Sequence, residues 1–529
     1  MSFATNLALI GQPLPDDPTP IDTPEVDWWA LGPILALVGG ALLLMLITAF
    51  VRRRPFPGLY AGVTIVAAGT AVGLSVPLWR RVQDADRGQF ATLDGAIGVD
   101  GFSIFATVVI CAGVVLAALL ADGYLRREDL DGVEPYALLL LSSAGGVVMA
   151  QANDLIVLFL GLEVLSIAVY VLAALHLRRV TSQEAGLKYF VLGGFSSAFL
   201  LYGIALIYGG VGTTNLGLFD PSSQSGGELT SIVGTLNQNL AIDDGLVLAG
   251  LALVLVGLAF KIGAVPFHFW TPDVYQGAPT PMVAWMASGV KVAATAGLVR
   301  VFVLTFWSYD VDWKPLMFGL AVVTLLVGSV LAVVQTNVKR MLAYSSIAHA
   351  GYLLVGVQAA TEDGAEAILF YLAAYTFMVA GSFGVVTLVG RTGDGRHLLD
   401  DYRGLGRERP VLALTLTLFL FAQAGVPLTS GFFAKFYVIN AAIDANSVGL
   451  AIVAMLAAVI AAYLYLRIVV AMYMEPELDG ESSSLSTISV PVGAGIALAL
   501  CIVFTLGIGI WPEAVAEVAK DAVPALVSG

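Results

Sequence analysis

Residues 246–266 read Leu-Val-Leu-Ala-Gly-Leu-Ala-Leu-Val-Leu-Val-Gly-Leu-Ala-Phe-Lys-Ile-Gly-Ala-Val-Pro, a long apolar run with one lysine near its end. Gly263 and Pro266 follow Lys261 closely, and both residue types interrupt helices. A charge deep in hydrocarbon is costly, and irregular backbone at membrane depth is tolerated only where it lines protein or water. The stretch therefore predicts a broken transmembrane helix whose lysine faces the protein interior.

The composition predicts a polytopic membrane protein. Of 529 residues, 58% are hydrophobic and 12% are charged, whereas soluble domains carry about 25% charged residues. Apolar runs of about 18 residues or more, each long enough to span a bilayer, recur along the whole chain. We predict an all-α fold with fourteen transmembrane helices, at 29–50, 58–79, 99–121, 134–151, 153–176, 183–210, 245–265, 281–306, 315–335, 341–359, 364–390, 410–441, 448–473 and 488–511.

The sequence lacks the motifs that are typical of redox, metal and nucleotide sites. Cys111 and Cys501 both fall in apolar spans, and no Cys-x-x-Cys pair that could hold an iron–sulfur cluster occurs. The four histidines are scattered, so no spacing predicts a metal site. No Walker loop or dinucleotide-binding glycine motif is present either. We expect no cofactor in this chain, and any redox or ATP chemistry that drives it must lie on other subunits.

The distribution of charge predicts the orientation in the membrane. Most lysines and arginines outside the spans fall in alternate loops, whereas the predicted loop 212–244 has none. By the positive-inside rule, the basic loops are cytoplasmic and both termini lie outside. The net charge of −14 comes largely from tails and loops, and it gives no indication of nucleic-acid binding. The acidic N-terminus has no basic n-region, so we expect no cleaved signal peptide.

Two weak internal matches indicate a duplicated unit. Phe260–Pro266 resembles Phe421–Pro427, and Ser166-Ile-Ala matches Ser346-Ile-Ala. Each unit would hold five helices, an odd number that gives consecutive units opposite topology, as is typical of transporters with broken helices. The predicted helix breaks are at Gly263, Pro266, Gly425 and Pro427. The predicted organisation is spans 1–3 in 1–133, a first inverted repeat in 134–306, a second in 315–473 and a final span at 488–511.

Charged and titratable residues inside the spans are the candidate proton pathway. Each central charge costs about 2.5–3.5 kcal/mol on insertion scales, so such residues should face the interior, pair, or contact water. Lysines withdrawn from water can gain and lose protons near neutral pH, as histidines do. The candidates are Glu163, Lys188, Lys261, Lys291, Lys435, His268 and His349.

Plainer interpretations of the charged candidates stay open. Glu163 and Lys188 could form a static ion pair between two helices, with Lys188 about two turns after a capping box at Thr181–Glu184. A partner carboxylate that moves would instead make Lys188 a switch. Lys261 could extend to a nearby membrane interface. Lys291 lies too centrally in its span to do so easily.

The remaining polar residues of the spans are less specific. His268 and His349 could bridge proton transfer, but each could equally be a hydrogen-bonded interior histidine. Arg300 and Arg467 are more typical of helix ends or structural pairs.

The stretch Lys261–Pro281 contains Phe-His-Phe-Trp-Thr-Pro-Asp-Val-Tyr-Gln-Gly-Ala-Pro-Thr-Pro and closely resembles the antiporter-like membrane subunits of bacterial NADH–quinone oxidoreductase, respiratory complex I. The sequence of this motif is most similar to the one found in the subunit N branch of that family. Gly-Leu-Glu163 and Gly-Val-Pro-Leu-Thr-Ser-Gly-Phe-x-x-Lys435 extend the resemblance, which covers nearly the whole chain. Subunit M usually has glutamate at the position of Lys435, and we do not expect the long lateral helix of subunit L.

The resemblance implies roles for five of the candidates. Glu163 would be the coupling glutamate, Lys261 the central proton-carrying lysine and Lys291 the relay at the middle. Lys435 would lie nearer the second half-channel. Lys188 matches the lysine that the family carries in its sixth span.

The resemblance also implies the setting. The chain would be a multi-pass, proton-translocating subunit in the bacterial plasma membrane that couples quinone reduction to proton pumping without a redox centre of its own. Quinone, NADH, FMN and iron–sulfur clusters would belong to partner subunits. Its partners would be the neighbouring subunit M, small membrane subunits and the lipid bilayer. The alternative is a subunit of a multi-subunit Na⁺/H⁺ antiporter, which the same charged row would serve; a scaffold that conducts nothing or a lone symporter fits less well.

Overall fold

The computed structural model describes residues 24–50, 57–84, 87–219, 231–475, 485 and 488–523. Most of these residues are helical. Within these ranges the only sheet is an antiparallel ribbon of β1 (Phe90–Thr92) and β2 (Ile97–Val99), in which Phe90 pairs with Val99. The prediction of an all-α fold is therefore confirmed.

Eight helices of the described residues precede the first break. They are α1 (Gly32–Phe50), α2 (Leu59–Val82), α3 (Gly101–Arg127), α4 (Glu134–Gln151), α5 (Leu155–Ala173), α6 (Val180–Val211), α7 (Ile232–Asn237) and α8 (Asp244–Ile262). The chain then forms α9 (Trp270–Gly277), α10 (Thr280–Ala287) and α11 (Gly289–Leu298), continued by a π-helix (Val299–Thr305) and a 3₁₀ turn (Trp307–Tyr309).

The described part of the chain after Tyr309 is also helical. Its elements are α12 (Asp310–Val333), α13 (Val338–Ala359), α14 (Glu362–Val389), a 3₁₀ turn (Leu399–Tyr402), α15 (Leu405–Glu408), α16 (Pro410–Ala424), α17 (Ser430–Asp444), α18 (Val448–Tyr473), α19 (Val492–Ile510) and α20 (Glu513–Ala522).

Eleven helical segments of the described residues are long and apolar enough to cross a membrane. They coincide with eleven of the predicted spans, so the expected count of fourteen is not confirmed. The other three predicted spans fall on α4, on α13 and on the α16–α17 pair. Lys339 and Arg340 make the start of α13 polar, and α16 has only 15 residues because the break at Gly425 ends it.

The first break follows Ile262, where α8 ends. Gly263 adopts a left-handed conformation with φ of 78°, which favours glycine because it has no Cβ. The N–H groups of Gly263 and Ala264 donate to carbonyls of the last turn at 3.0 and 2.8 Å. Thr324 of α12 accepts the N–H of Val265 at 3.0 Å. The polar backbone of the break is thus bonded within the protein, as hydrocarbon requires.

The second break has the same construction. α16 ends at Ala424, and Gly425 is left-handed with φ of 91°. The N–H groups of Gly425 and Val426 donate to the carbonyl of Phe421 at 3.0 Å. The chain resumes its helix at Ser430.

The most buried helices are central, and they carry the polar residues of the interior. The most apolar 18 residues of Thr280–Thr305 are all buried within the protein, and 94% of the corresponding 18 residues of α14 are buried. Both pack against α3. The outer helices α1, α2, α6, α18 and α19 expose apolar side chains, such as Phe195 and Val459, to the bilayer. Polar side chains in the centre are therefore shielded from lipid.

Candidate functional site

Lys261 lies in the last turn of α8 and is buried, with 3% of its surface exposed. Its Nζ donates to Ser166 Oγ of α5 at 2.7 Å. The Ser166 hydroxyl in turn donates to the carbonyl of Leu162, so its oxygen remains available to the ammonium. The rings of Tyr170 and Tyr189 lie 5.3 and 5.2 Å from Nζ. One hydroxyl and two aromatic faces therefore hold this charge.

Glu163 lies three residues before Ser166 on α5 and is partly buried. Its charge acts on Lys261. Within the described residues its Oε1 is buried without a hydrogen-bond partner. The carboxylate is therefore placed to influence the lysine without being committed to a direct ion pair.

Lys188 forms a different pair from the one considered in the sequence. Its Nζ lies 2.7 Å from Asp273 Oδ2 and 2.7 Å from Glu184 Oε1, and 42% of its side chain is exposed. No ion pair with Glu163 forms in the described ranges. The capping-box interpretation is also wrong, because α6 starts without a capping side chain and Glu184 lies one turn from Lys188 on the same helix face.

Lys291 lies on α11, just after the sharp bend at Ser288 that separates α10 from α11. Only 3% of it is exposed. Its Nζ donates to both oxygens of Ser346 on α13, at 2.7 Å to the hydroxyl and 2.5 Å to the carbonyl. The ring centroid of Tyr375 lies 5.1 Å away. No carboxylate pairs with this ammonium in the described part of the chain.

Lys435 donates a hydrogen bond to the backbone at the second helix break. It is 6% exposed, and its Nζ donates at 3.0 Å to the carbonyl of Ala424, which the end of α16 leaves without a helical partner. The side chain passes over Gly425, whose missing Cβ leaves room for it. The ring of Tyr352 lies 5.0 Å from Nζ. The break therefore creates the ligand for this lysine.

His349 lies between Lys291 and Lys435. Its ring centroid is 4.6 Å from that of Tyr375, beside Lys291, and 6.2 Å from that of Tyr352, beside Lys435. The charges of both lysines act on it. Side-chain contacts thus form a continuous path from Lys291 through His349 to Lys435.

The path from Lys261 to Lys291 consists mainly of aromatic rings. Tyr189, beside Lys261, stacks on Trp270 at 4.2 Å. Trp270 lies 6.1 Å from Tyr275, and the side chain of Tyr275 interacts with that of Ser346, which binds Lys291. The indole of Trp270 also donates to the carbonyl of Phe260 at 2.9 Å and so bonds a backbone group near the break.

His268 is placed within the first break and is 7% exposed. Its ring lies 4.8 Å from that of Phe269, and its Nδ1 has no hydrogen-bond partner in the described ranges. No hydrogen bond joins this ring to Lys261, Lys291 or Lys435 in that part of the chain. The structure therefore brings His349 to the lysines but not His268.

A hydrogen-bonded branch beside His349 was not predicted. Tyr465 lies 3.4 Å from His349 Nε2 and 2.6 Å from Ser345 Oγ. Ser345 donates to Gln423 at 3.2 Å, and Gln423 donates to Ser382 at 2.6 Å. The available signal was Gln423 itself, an amide in the apolar run before the second break.

A buried ionic cluster around Asp394 was also missed. Asp394 is fully buried in the loop after α14. Burial opposes its ionisation, but the charge of Lys339, the hydrogen bond from His397 and the charge of Arg179 hold the pKa of Asp394 well below its usual range. Its carboxylate accepts hydrogen bonds from Tyr124, Arg179, Thr280, Lys339 and His397. A polar loop residue gave no sequence signal of burial.

Arg300 forms a buried ion pair with Asp100, as is typical of structural pairs. Arg300 donates to Asp100 at 2.8 Å and to the carbonyl of Ala150 at 2.7 Å, and is fully buried. Cys111 and Cys501 are buried and free. In the described ranges no group of three or more His, Cys, Asp or Glu side chains is placed to hold a metal ion.

Known proteins resemble this chain in sequence. The family model described as NADH:quinone oxidoreductase/Mrp antiporter, TM, matches residues 152–461. The NADH-quinone oxidoreductase subunit N of Trichlorobacter lovleyi is 42% identical over 443 residues, which cover 84% of this chain and 86% of that protein.

Solved structures share the fold. A chain of respiratory complex I from Thermus thermophilus with bound aureothin has a TM-score of 0.74 and 31% identity, covering 92% of this chain and 99% of that one. A chain of the Mrp complex from Dietzia sp. DQ12-45-1b, at 23% identity and a TM-score of 0.77, covers 95% of this chain and 98% of its own and shows the fold alone. Since the family model matches more than half of its length, the chain belongs to the NADH:quinone oxidoreductase/Mrp antiporter family of membrane subunits.

Proposed function

We propose that the chain is the antiporter-like subunit N of a bacterial respiratory complex I, and that it moves protons along Lys261, Lys291 and Lys435. The relatives named subunit N support the assignment to the complex. The observation that carries the pathway is the burial of three ammonium groups that form no ion pair in the described residues. Unpaired buried charges weaken a fold, and side chains that serve packing alone would not require them.

Coupling would begin at Glu163. A change in charge near this carboxylate, driven by electron transfer in partner subunits, alters the field at Lys261, because Glu163 already acts on that lysine. A proton released by Lys261 would reach Lys291 by way of Tyr275 and Ser346, with water where side chains leave gaps. Moving one charge through 100 mV requires about 2.3 kcal/mol, which is roughly 1.7 pKa units.

The second half of the pathway would run from Lys291 past Tyr375 and His349 to Lys435. Lys188 would serve the opposite end. It is partly exposed and paired with Asp273, so it can exchange protons with water and still affect the segment that follows the first break. His268 would line this segment rather than carry protons between the lysines.

The inverted repeats are part of the proposal. Ser166 binds Lys261, and Ser346, which occupies the matching Ser-Ile-Ala segment, binds Lys291. At both breaks the preceding helix ends at a left-handed glycine, Gly263 or Gly425. These parallels support one five-helix unit in 134–306 and a second in 315–473, after three spans in 1–133 and before a last span at 488–511.

The setting follows from the same assignment. The subunit would lie in the bacterial inner membrane beside subunit M and the small membrane subunits, with both termini outside. NADH, FMN, iron–sulfur clusters and quinone would bind to partner subunits. The loops rich in basic residues, expected to be cytoplasmic, share one end of the helices: Arg179 and Lys339 both contact Asp394 there.

The decisive experiment measures proton uptake into inverted membrane vesicles that contain the complete complex. We expect Lys291→Ala to lower NADH-driven proton uptake severalfold. Lys314→Ala is the matched control, because Lys314 lies near the helix end and pairs with Asp310. Normal uptake in the Lys291 variant, at a normal amount of assembled complex, excludes the pathway.

The alternative is a subunit of a Na⁺/H⁺ antiporter. The family description supports this alternative because it also names the Mrp antiporter. Co-purification distinguishes the two. We expect the chain to purify with NADH-oxidising activity and its proton uptake to be independent of Na⁺. Purification with small antiporter subunits, and Na⁺-dependent proton exchange, would favour the alternative.

A further inference from the structure

An apolar groove lies on the outer surface of the bundle, separate from the lysine row. Segments of α2, α3, α14, α19 and α20 enclose a cavity of about 430 Å³. The stacked rings of Phe377 and Phe504, with centroids 3.8 Å apart, form part of its wall. Val76 and Val108 line it while remaining 49% and 38% exposed, so the groove opens to the bilayer.

One end of the groove is marked by the last turn of α2. Trp79 and Arg80 line this end. The end of α20 lies near the same level, because Gln83 donates to the carbonyl of Asp521 at 2.8 Å. Tryptophan and arginine at a helix end are typical of the membrane–water boundary. The groove therefore runs from the boundary into the hydrocarbon region.

Arg80 differs from its neighbour Arg81 in having no partner among the residues that the structure describes. Arg81 pairs with Asp27, and its guanidinium lies 3.5 Å from the ring centroid of Phe90. Arg80 is exposed and makes no hydrogen bond or ion pair in the part of the chain that the structure describes. A guanidinium is thus available at the polar end of an apolar channel.

We propose that this groove binds a glycerophospholipid, with an acyl chain along its apolar walls and the phosphate on Arg80. A guanidinium binds phosphate through two parallel hydrogen bonds, which gives both affinity and orientation. The acyl chain meets walls as apolar as itself. The groove and the cation together match the two parts of such a lipid.

The size of the groove favours a lipid chain over a helix of another subunit. Its volume of about 430 Å³ lies within the range of about 300–1,000 Å³ of ligand pockets. Ten residues of α-helix, roughly 15 Å long and 10 Å across with side chains, occupy on the order of 1,000 Å³. A helix would therefore rest on the rim and leave the groove for an acyl chain.

The test uses the complete complex, purified, partly delipidated and incubated with vesicles of either phosphatidylglycerol or phosphatidylethanolamine. Native mass spectrometry then counts the bound lipids. We expect Arg80→Gln to lower retention of lipid by at least about tenfold, the lower end of the effect of losing a hydrogen bond to a charged group. Arg87→Gln is the control, since Arg87 is an exposed arginine of the following loop that does not line the groove.

The two lipids identify the recognised part of the headgroup. A loss of both assigns the contact to the phosphate, and a loss of phosphatidylglycerol alone assigns it to anionic lipids. Equal retention in the Arg80 and Arg87 variants would overturn the proposal.

A photoreactive amino acid at Val76 tests the occupant independently, without removing a charge. We expect its adducts to carry the mass of a phospholipid. Adducts to another protein subunit in place of lipid would contradict the proposal. Both measurements are independent of proton pumping, so they stand whether or not the lysine row conducts.

Discussion

Lys291 Nζ lies 2.7 Å from Ser346 Oγ, and a contact of the same kind occurs within residues 134–306, where Lys261 Nζ lies 2.7 Å from Ser166 Oγ. In each case a serine on a neighbouring helix accepts from a buried ammonium. A hydroxyl satisfies the charge only in part and carries no opposite charge that would trap the proton. Such a partner suits a lysine that must gain and lose its proton in each cycle.

Ser346→Ala should lower proton uptake severalfold without preventing assembly. The variant leaves the Lys291 ammonium with the Ser346 carbonyl alone, and a hydrogen bond to a charged group contributes about 1.5–3 kcal/mol. The measurement is the initial rate of NADH-driven proton uptake in vesicles. Ser329→Ala is the control, because the Ser329 hydroxyl is buried on α12 without a partner in the described ranges. Equal rates in the two variants would show that the Ser346 hydroxyl does not support transport.

Glu163→Gln should reduce the number of protons moved per NADH oxidised. The substitution removes the charge that acts on Lys261 but keeps the shape of the side chain. The ratio of proton uptake to NADH oxidation is the measurement. Glu366→Gln is a suitable control, since Glu366 is a partly buried glutamate at the start of α14 whose charge interacts with Lys520 and not with Lys261, Lys291 or Lys435. An unchanged ratio in the Glu163 variant would remove Glu163 from the coupling step.

Gly263→Ala should destabilise the subunit by about 1–2 kcal/mol or more, because an L-residue in the left-handed conformation costs that amount. A Cβ there would also lie 2.9 Å from Thr271 Oγ1. Gly425→Ala should behave similarly, since its Cβ would lie 3.1 Å from Lys435 Cδ. The thermal unfolding midpoint of the purified complex measures the effect.

Gly194→Ala provides the control for both glycines. Gly194 is a helical glycine of α6 with open space around its missing Cβ, so alanine there should leave stability unchanged or raise it slightly. If all three variants unfold together with the wild type, the left-handed turns do not hold the helix breaks in place.

Asp100→Asn should destabilise the protein far more than Asp27→Asn. Asp100 and Arg300 are 2% and 0% exposed, and loss of one partner leaves a buried arginine without its counter-charge, at a typical cost of about 3–5 kcal/mol. Asp27 pairs with Arg81 near the surface, where such pairs contribute about 0–1 kcal/mol. Comparable unfolding midpoints for the two variants would contradict a stabilising role of the buried pair.

Much of the fold could be predicted from the sequence, because hydrocarbon imposes strict limits on composition. Eleven predicted spans coincide with apolar helices, and the glycines at 263 and 425 end their helices as their conformational freedom allows. The lysines at 261, 291 and 435 could be recognised because a charge in an apolar span is too costly to be kept for packing alone. These signals are local, so a single chain displays them.

The partners of those residues could not be predicted, because they depend on how distant helices meet. Lys188 was expected near Glu163, but α9 brings Asp273 to it after the first break. Asp394 lies in a hydrophilic loop, and only the folded chain shows that five side chains from four other segments and its own loop surround it. Sequence periodicity carries no information on such contacts.

His397 should make the protein less stable in mild acid. Burial lowers the pKa of His397 below its ordinary value, although the hydrogen bond to Asp394 opposes this shift. The folded state therefore stays neutral where the unfolded state, with a pKa of about 6.5, takes up a proton. Stability due to His397 is fully present above about pH 6.5 and falls as the pH decreases towards the folded pKa, by at most about 1.4 kcal/mol per pH unit.

Asp394 should not contribute to this change, because its depressed pKa keeps it ionised in the folded state. Its contribution is retained above the unfolded pKa of about 3.9 and is lost only at lower pH. The measurement is the unfolding midpoint of the purified complex at pH 7.5 and pH 5.0. His397→Gln cannot be protonated, so the drop between the two pH values should be smaller in this variant than in the wild type. The same drop in both proteins would mean that other histidines cause the acid sensitivity.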